Sequence, residues 1–239
     1  MSKPTYKEML DAGVHFGHMK RKWNPKMSQY IFAEKKGIHI IDINKTLTEL
    51  ERSAKAMKEL AKANKKIIFV ATKKQARDVV KKAAESVNMP YVTHRWLGGM
   101  MTNFTTIRKS IKKMEKIDSM LKDKTLTSIT KKERLTLSRE KEKLSRVLGG
   151  IEKLNRLPSA MFIVDIGQEH LAVDEAHKLN IRTFAMVDTN VNPNHVDFPI
   201  PANDDSTKSI EIITNYLVNA IKEGLAESTG NGTGEKNED

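Results

Sequence analysis

Cysteine is absent from this 239-residue chain. That excludes disulfides and thiolate metal sites, and it fits a reducing compartment. Aromatic residues make up only 5% of the chain, so the core is aliphatic and modest. No apolar run approaches the ~20 residues of a membrane span. The opening Met1-Ser2-Lys3-Pro4 lacks the apolar stretch of a secretory signal, and a soluble cytoplasmic protein is expected. Glycine is sparse, with 12 residues, and none falls where a nucleotide-binding enzyme needs it. The apolar run Ile67–Thr72 leads into Lys73-Lys74-Gln75-Ala76-Arg77, with no glycine for close approach to a dinucleotide. The run ending at Asp165-Ile166 offers only Gly167, and Gly98-Gly99 has neither the lysine nor the spacing of a phosphate-cradling loop. A Gly-x-Ser-x-Gly elbow and a His-Glu-x-x-His motif are both missing.

Positive charge is what the chain has in excess. The formal net charge is +12, a balance that points to a polyanionic partner, most often nucleic acid. Its distribution is uneven. Thr105–Arg156 carries 16 lysines and arginines against 7 acids, and Met1–Lys35 carries 7 against 3. The remainder is close to neutral and ends in an acidic tail, which is expected to be disordered over 228–239.

Apolar periodicity divides the rest into alternating elements. Tyr6–Asp11 reads as a short helix stopped by Gly13. Ile38–Ile43 reads as a strand, and Asn44 or Thr46 as the cap of a helix running to Ala63. Ile67-Ile68-Phe69-Val70 is apolar at every position, the pattern of a parallel strand buried on both faces. Helix Gln75–Val87 and short strand Tyr91-Val92 follow. Beyond Pro158 come strand Ala160–Ile166, helix Glu169–Leu179, strand Ile181–Val187, short strand Val196–Ile200 and helix Thr207–Leu225, with Asp205 or Ser206 as its cap. This alternation predicts a doubly wound α/β domain formed by residues 1–102 and 157–227.

The insertion, residues 103–156, has a different character. Ile107, Ile111, Met114, Ile117 and Leu121 are spaced by three or four residues, as are Leu137, Leu144, Val147, Ile151 and Leu154, apart from a skipped turn at Lys141. Two amphipathic helices folded back through Asp123–Thr130, with a coiled-coil-like seam, are expected. Their outward positions hold Arg108, Lys109, Lys112, Lys113, Lys116, Arg139 and Arg146. A solvated face of mixed sign would need no partner, whereas nine surplus positive charges point to phosphate. Tyr91–Asn103 is the shoulder between body and arm, with Trp96 as an anchor, Gly98-Gly99 free to take unusual backbone angles and Asn103 as the helix cap.

A second basic stretch lies in the N-terminal loop. Lys20, Arg21, Lys22 and Lys26 are candidate phosphate contacts, while Trp23 is expected to pack on the body rather than stack on a base. Arg95 and Asn103 in the shoulder complete the set of candidate RNA contacts. Two histidines of the N-terminal loop, His15 and His18, and three aspartates after late strands, Asp188, Asp204 and Asp205, could meet as ligands for zinc or magnesium. The competing reading is that the histidines pack and the aspartates cap turns.

Four motifs carry a resemblance to a known family. Ala12-Gly13-Val14-His15-Phe16-Gly17-His18, Trp23-Asn24-Pro25-Lys26-Met27, His94 through Asn103, and Val187-Asp188-Thr189-Asn190 resemble bacterial ribosomal protein S2. Met101 stands where that family often has leucine, and the acidic tail is individual. The resemblance implies a flavodoxin-like parallel sheet with a protruding coiled-coil hairpin. It implies a place in the small ribosomal subunit and contact with 16S ribosomal RNA. It also implies contact with other small-subunit proteins, among them the large messenger-binding protein, with no catalysis and no required cofactor. Two other readings stay open on the residues alone. A nucleotide-dependent enzyme acting on RNA would bind nucleotide stoichiometrically, and the missing glycine motifs argue against it. A membrane-surface protein would need an exposed amphipathic stripe beyond the hairpin seam, and none is evident.

Overall fold

The computed structural model describes residues 3–122 and 130–231. Its centre is a five-stranded parallel sheet of β4 (Ile67–Val70), β5 (Tyr91–Val92), β6 (Ala160–Val164), β7 (Arg182–Val187) and β8 (Phe198–Pro201). The spatial order is β5-β4-β6-β7-β8. Numbering only these five strands, that order is 2-1-3-4-5, the flavodoxin-like one, with a topological switch between β4 and β6.

Strand alternation sends successive side chains to opposite faces, and both faces are covered. Ile67, Phe69, Phe162, Val164, Phe184 and Met186 share one core with α2 (Ile43–Lys62), α3 (Lys74–Ser86) and α7 (Thr207–Asn231). Ile68, Val70, Met161, Ile163, Ala185 and Val187 share the other with α6 (His170–Lys178) and the shoulder. The continuous apolar runs are therefore double-sided strands, as the sequence predicts.

One expected member of this alternation lies elsewhere. Ile38–Ile41 is not in the parallel sheet. It is β3, the central strand of a small antiparallel sheet ordered β1-β3-β2, with β1 Phe16–Met19 and β2 Ile31–Lys35. The β2–β3 hairpin turns at Lys36-Gly37, both with positive φ (53° and 76°), the conformation of a tight two-residue turn. Part of the N-terminal loop is thus strand, followed by two 3-10 turns, Lys20–Lys22 and Pro25–Tyr30. Asp42, rather than Asn44 or Thr46, caps α2, its Oδ1 accepting from Asn44 N at 3.0 Å.

The insertion contributes α4 (Phe104–Lys122) and α5 (Lys131–Leu148), which lie against each other. Ile107, Ile111 and Leu148 at their roots are buried in the second core, so the arm is seated in the body before it leaves it. Met114 and Ile117 are buried farther along α4. The reversal expected at Asp123–Thr130 falls almost wholly outside the described residues; only Thr130 is seen, capping α5 with a reciprocal Thr130–Glu133 box. The last helix runs to Asn231 rather than Leu225. Residues 228–231 of the expected disordered tail are therefore helical, and 232–239 lie outside the described residues. Among the described residues no helix is long and apolar enough to cross a membrane.

Candidate nucleic-acid interface and carboxylate cluster

The arm's cations divide by what they touch. Lys109, Lys112, Lys116 and Arg139 are exposed and make no ion pair among the described residues. Lys113 reaches across to Glu140 on α5, and Arg146 pairs with Glu142 one turn away at 3.0 Å. Arg108 turns inward instead. Its guanidinium donates to the Glu152 and Leu154 carbonyls at 3.1 and 3.2 Å, tying the start of the arm to its end. Asn103 sits at the cap position of α4, but its side chain accepts the Thr105 hydroxyl at 3.4 Å while its carbonyl takes the amides of Thr106 and Ile107. Arg95 is exposed.

In the N-terminal region Lys20, Arg21, Lys22 and Lys26 all face solvent, and Lys20 pairs with Glu34 at 2.7 Å. Trp23 packs edge-on against His39, with ring centroids 5.1 Å apart. Trp23 is still 37% exposed, so the packing expected for it is only partial.

The carboxyl ends of the parallel strands gather acids. Asp165 follows β6, Asp188 follows β7, and Asp204 and Asp205 follow β8. Lys73, after β4, lies among them, 2.6 Å from Asp204 Oδ1, 2.6 Å from Asp205 Oδ1 and 3.3 Å from Asp165 Oδ2. Burial works against the Lys73 charge, but the surrounding carboxylates outweigh it and hold the pKa above the ordinary lysine range. Burial, with Asp165 and Asp188 nearby, pushes Asp204 up to about 7.

The small sheet brings His18 to this edge. His18 N donates to Thr189 Oγ1 at 2.8 Å, and Asn24 N to Thr189 O at 2.8 Å. Gly17 lets the strands meet, since a Cβ there would come 2.6 Å from Thr189 Cγ2. His18 Nδ1 then lies 3.0 Å from Asp188 Oδ2, and its Nε2 3.5 Å from Asp205 Oδ2. Contact with Asp188 raises the imidazole pKa despite partial burial. One ligand atom from each of His18, Asp188 and Asp204 lies within 4.8 Å of the others. Asp188 Oδ2 and Asp204 Oδ2 are buried without a well-formed hydrogen bond. Of the five expected ligands these three converge. Asp205 stays at the exposed rim. His15 does not join; its ring lies on Phe16 at 4.1 Å and burial lowers its pKa.

Comparison with known proteins bears on the whole of this surface. The family model for ribosomal protein S2 matches residues 9–224. The chain belongs to the ribosomal protein S2 family. The small ribosomal subunit protein uS2 of Cytophaga hutchinsonii is 58% identical over 225 residues, 94% of this chain and 89% of that one. The uS2 proteins of Parabacteroides distasonis and Flavobacterium johnsoniae are 56% and 54% identical, each over 95% of this chain and over 82% and 89% of their own length.

Two residues that organise these surfaces escape a reading of the sequence. Glu175, inside α6, accepts Trp96 Nε1 at 3.0 Å and Gly99 N at 2.8 Å with one oxygen. The other takes Met101 N at 2.8 Å, Thr102 N at 2.9 Å and the Thr102 hydroxyl at 3.1 Å. Burial acts to raise its pKa, but these donors prevail and lower it. The shoulder's Gly99, at φ +84°, turns so that its amide can join them. Lys73 is the other. A buried acid in an otherwise ordinary helix and a lysine after a strand carry no local signature, because their partners are distant in sequence.

Proposed function

We propose that the chain is a structural constituent of the small ribosomal subunit, cytoplasmic and without turnover. It docks on 16S ribosomal RNA through Lys20, Arg21, Lys22 and Lys26 and through the outer cations of the 103–156 insertion, read as a coiled-coil-like hairpin between body segments 1–102 and 157–227. Family membership over residues 9–224 is the observation that carries this reading. The unpaired Lys109, Lys112, Lys116 and Arg139 support it, because unneutralised cations release counterions when they meet phosphate. The exposed faces of the α/β body are left for neighbouring small-subunit proteins, with the large messenger-binding protein as a candidate. Sedimentation of a cell extract at moderate and high salt tests the proposal. Near-stoichiometric migration with the small subunit at moderate salt is expected; a mainly soluble protein would sink it.

We further propose a structural divalent ion on His18, Asp188 and Asp204. Asp204 Oδ2, buried with no hydrogen-bond partner among the described residues, supports it together with the Asp188 Oδ2–His18 Nδ1 pair beside it, and the imidazole favours zinc over magnesium. Lys73 occupies Asp204 Oδ1, so Oδ2 is the oxygen left for an ion. Elemental analysis of the purified protein should find about one zinc per chain, lost in His18→Ala and Asp188→Asn. A metal content unchanged by both substitutions would move the ion elsewhere.

A further inference from the structure

The two ends of the parallel sheet have opposite electrical character. The carboxyl ends carry Asp165, Asp188, Asp204 and Asp205 around a single lysine. The amino ends of the strands face the other way, and there the surface is both concave and basic.

A groove of about 830 Å³ opens beside the starts of β4, β5 and β6. Three stretches far apart in sequence build it, around Lys65, Tyr91 and Leu154. Four exposed cations, Lys65, Lys66, Lys153 and Arg156, stand against two carboxylates, Glu85 and Glu152. Glu85 is already engaged by the Tyr91 hydroxyl at 2.7 Å, whereas none of the four cations makes an ion pair among the described residues. Lys66 is held at the rim by the Asn88 carbonyl at 3.2 Å. Floor contacts are tight: a Cβ on Gly150 would fall 2.1 Å from Tyr91 O, so the hairpin's exit is pressed directly on β5.

A second groove of about 670 Å³ adjoins the first across Tyr91, Gly149, Gly150 and Glu152. It follows the root of α5 and includes Lys81, His94, Lys141 and Arg146 together with Glu142 and Glu152, Arg146 being paired with Glu142. Partial burial, then Arg77, Arg146 and Lys81, hold His94 below its ordinary pKa.

We propose that these two grooves form one continuous channel that clasps a strand of ribosomal RNA by its phosphates, extending the contact from the hairpin to the amino-terminal edge of the sheet. The proposal rests on the small-subunit reading and names a surface which that reading does not. Phosphate contact is chosen over a protein partner because the rims supply lysine and arginine. Apolar residues share the lining of the first groove, Met89 and Leu154 buried and Leu157 exposed, so the cations rather than the apolar surface carry the choice. An acidic protein surface meeting the same cations is the alternative the test must separate.

The absence of native cysteine makes the test direct. Small subunits are stripped of this protein with salt and rebound with the purified chain. Lys66→Ala/Lys153→Ala/Arg156→Ala should rebind at least tenfold more weakly at about 0.1 M salt, with a slope of log affinity against log salt shallower by about 2 to 3. The charge-keeping triple Lys66→Arg/Lys153→Arg/Arg156→Lys should rebind like wild type. An iron chelate tethered at Asn155→Cys should cleave ribosomal RNA next to the groove, as one at Ser119→Cys on α4 should cleave beside the hairpin. Silence at Asn155→Cys in particles that have bound the protein overturns the channel and assigns the face to a protein neighbour. A triple alanine variant with wild-type affinity and slope also overturns it. Failure of the wild-type chain to rebind stripped subunits at all would instead remove the small-subunit reading.

Discussion

Glu175 does at one position what a chain of separate caps would otherwise do. Five donors converge on its carboxylate, so the bend from β5 into α4 is held by a charge on a different helix. Glu175→Gln keeps the shape and removes the charge, and it turns one acceptor into a donor facing N–H groups. A loss of about 2–4 kcal/mol in urea unfolding is expected, since hydrogen bonds to a buried charge are the costly ones to lose. The same group gives a pH signature. Its folded pKa lies below the unfolded one, so its stabilisation is complete above the unfolded value and is lost as pH falls through the folded value. Comparison of wild type and Glu175→Gln across acid pH should show the difference between them shrinking toward low pH. Gly17 is a second single-residue constraint. Gly17→Val places a branched side chain where even a Cβ would lie 2.6 Å from Thr189. It should separate β1 from the carboxylate edge, lowering stability by about 1–3 kcal/mol, and it should abolish any zinc retention that the proposed His18–Asp188–Asp204 site gives the purified protein.

At the scale of elements, the arm has two regimes along one helix. Ile107 and Ile111 belong to the body's second core, while among the described residues the far half of α4 lies against α5. Ile111→Ala should therefore cost about 2–5 kcal/mol of global stability. Leu135→Ala on α5, a side chain 53% exposed, should fall within about 0.5 kcal/mol of wild type. Chemical denaturation of both variants tests the contrast. The small antiparallel sheet is a second case of an element serving a distant one. Its outer strand β2 is largely solvent-exposed, with Phe32 76% exposed, while β1 reaches back to Thr189 and Asp188.

For the molecule as a whole, charge is separated along the strand direction and along the arm. Acids gather at the carboxyl edge, and cations that make no ion pair among the described residues stand at the amino edge and on α4 and α5. Such an arrangement would orient the protein on the proposed RNA partner before any specific contact forms. Replacing Lys109, Lys112, Lys116 and Arg139 by alanine should weaken rebinding to stripped small subunits and flatten its salt slope by about 3. The effect should add to that of the channel variant, because the two surfaces share none of the substituted residues.

Periodicity and composition were enough to specify the parallel strands, their flanking helices, the helical insertion and its basic outer face. Each of these is a local pattern: an apolar run buried on both faces, a three-to-four spacing, a surplus of one charge. The motifs around His15, Trp96 and Asp188 were enough to carry the family. The sequence placed Ile38–Ile41 in the wrong sheet, because a short apolar strand looks the same whichever partner it pairs with. It also offered five candidate metal ligands, of which the fold brings three within reach of one another. The Glu175 clasp, Lys73 among the aspartates, and the basic channel joining Lys66 to Arg156 and Arg146 were decided by tertiary structure alone. Each depends on residues from separate strands and helices meeting in space, and only the order in which the strands pack determines which ones meet.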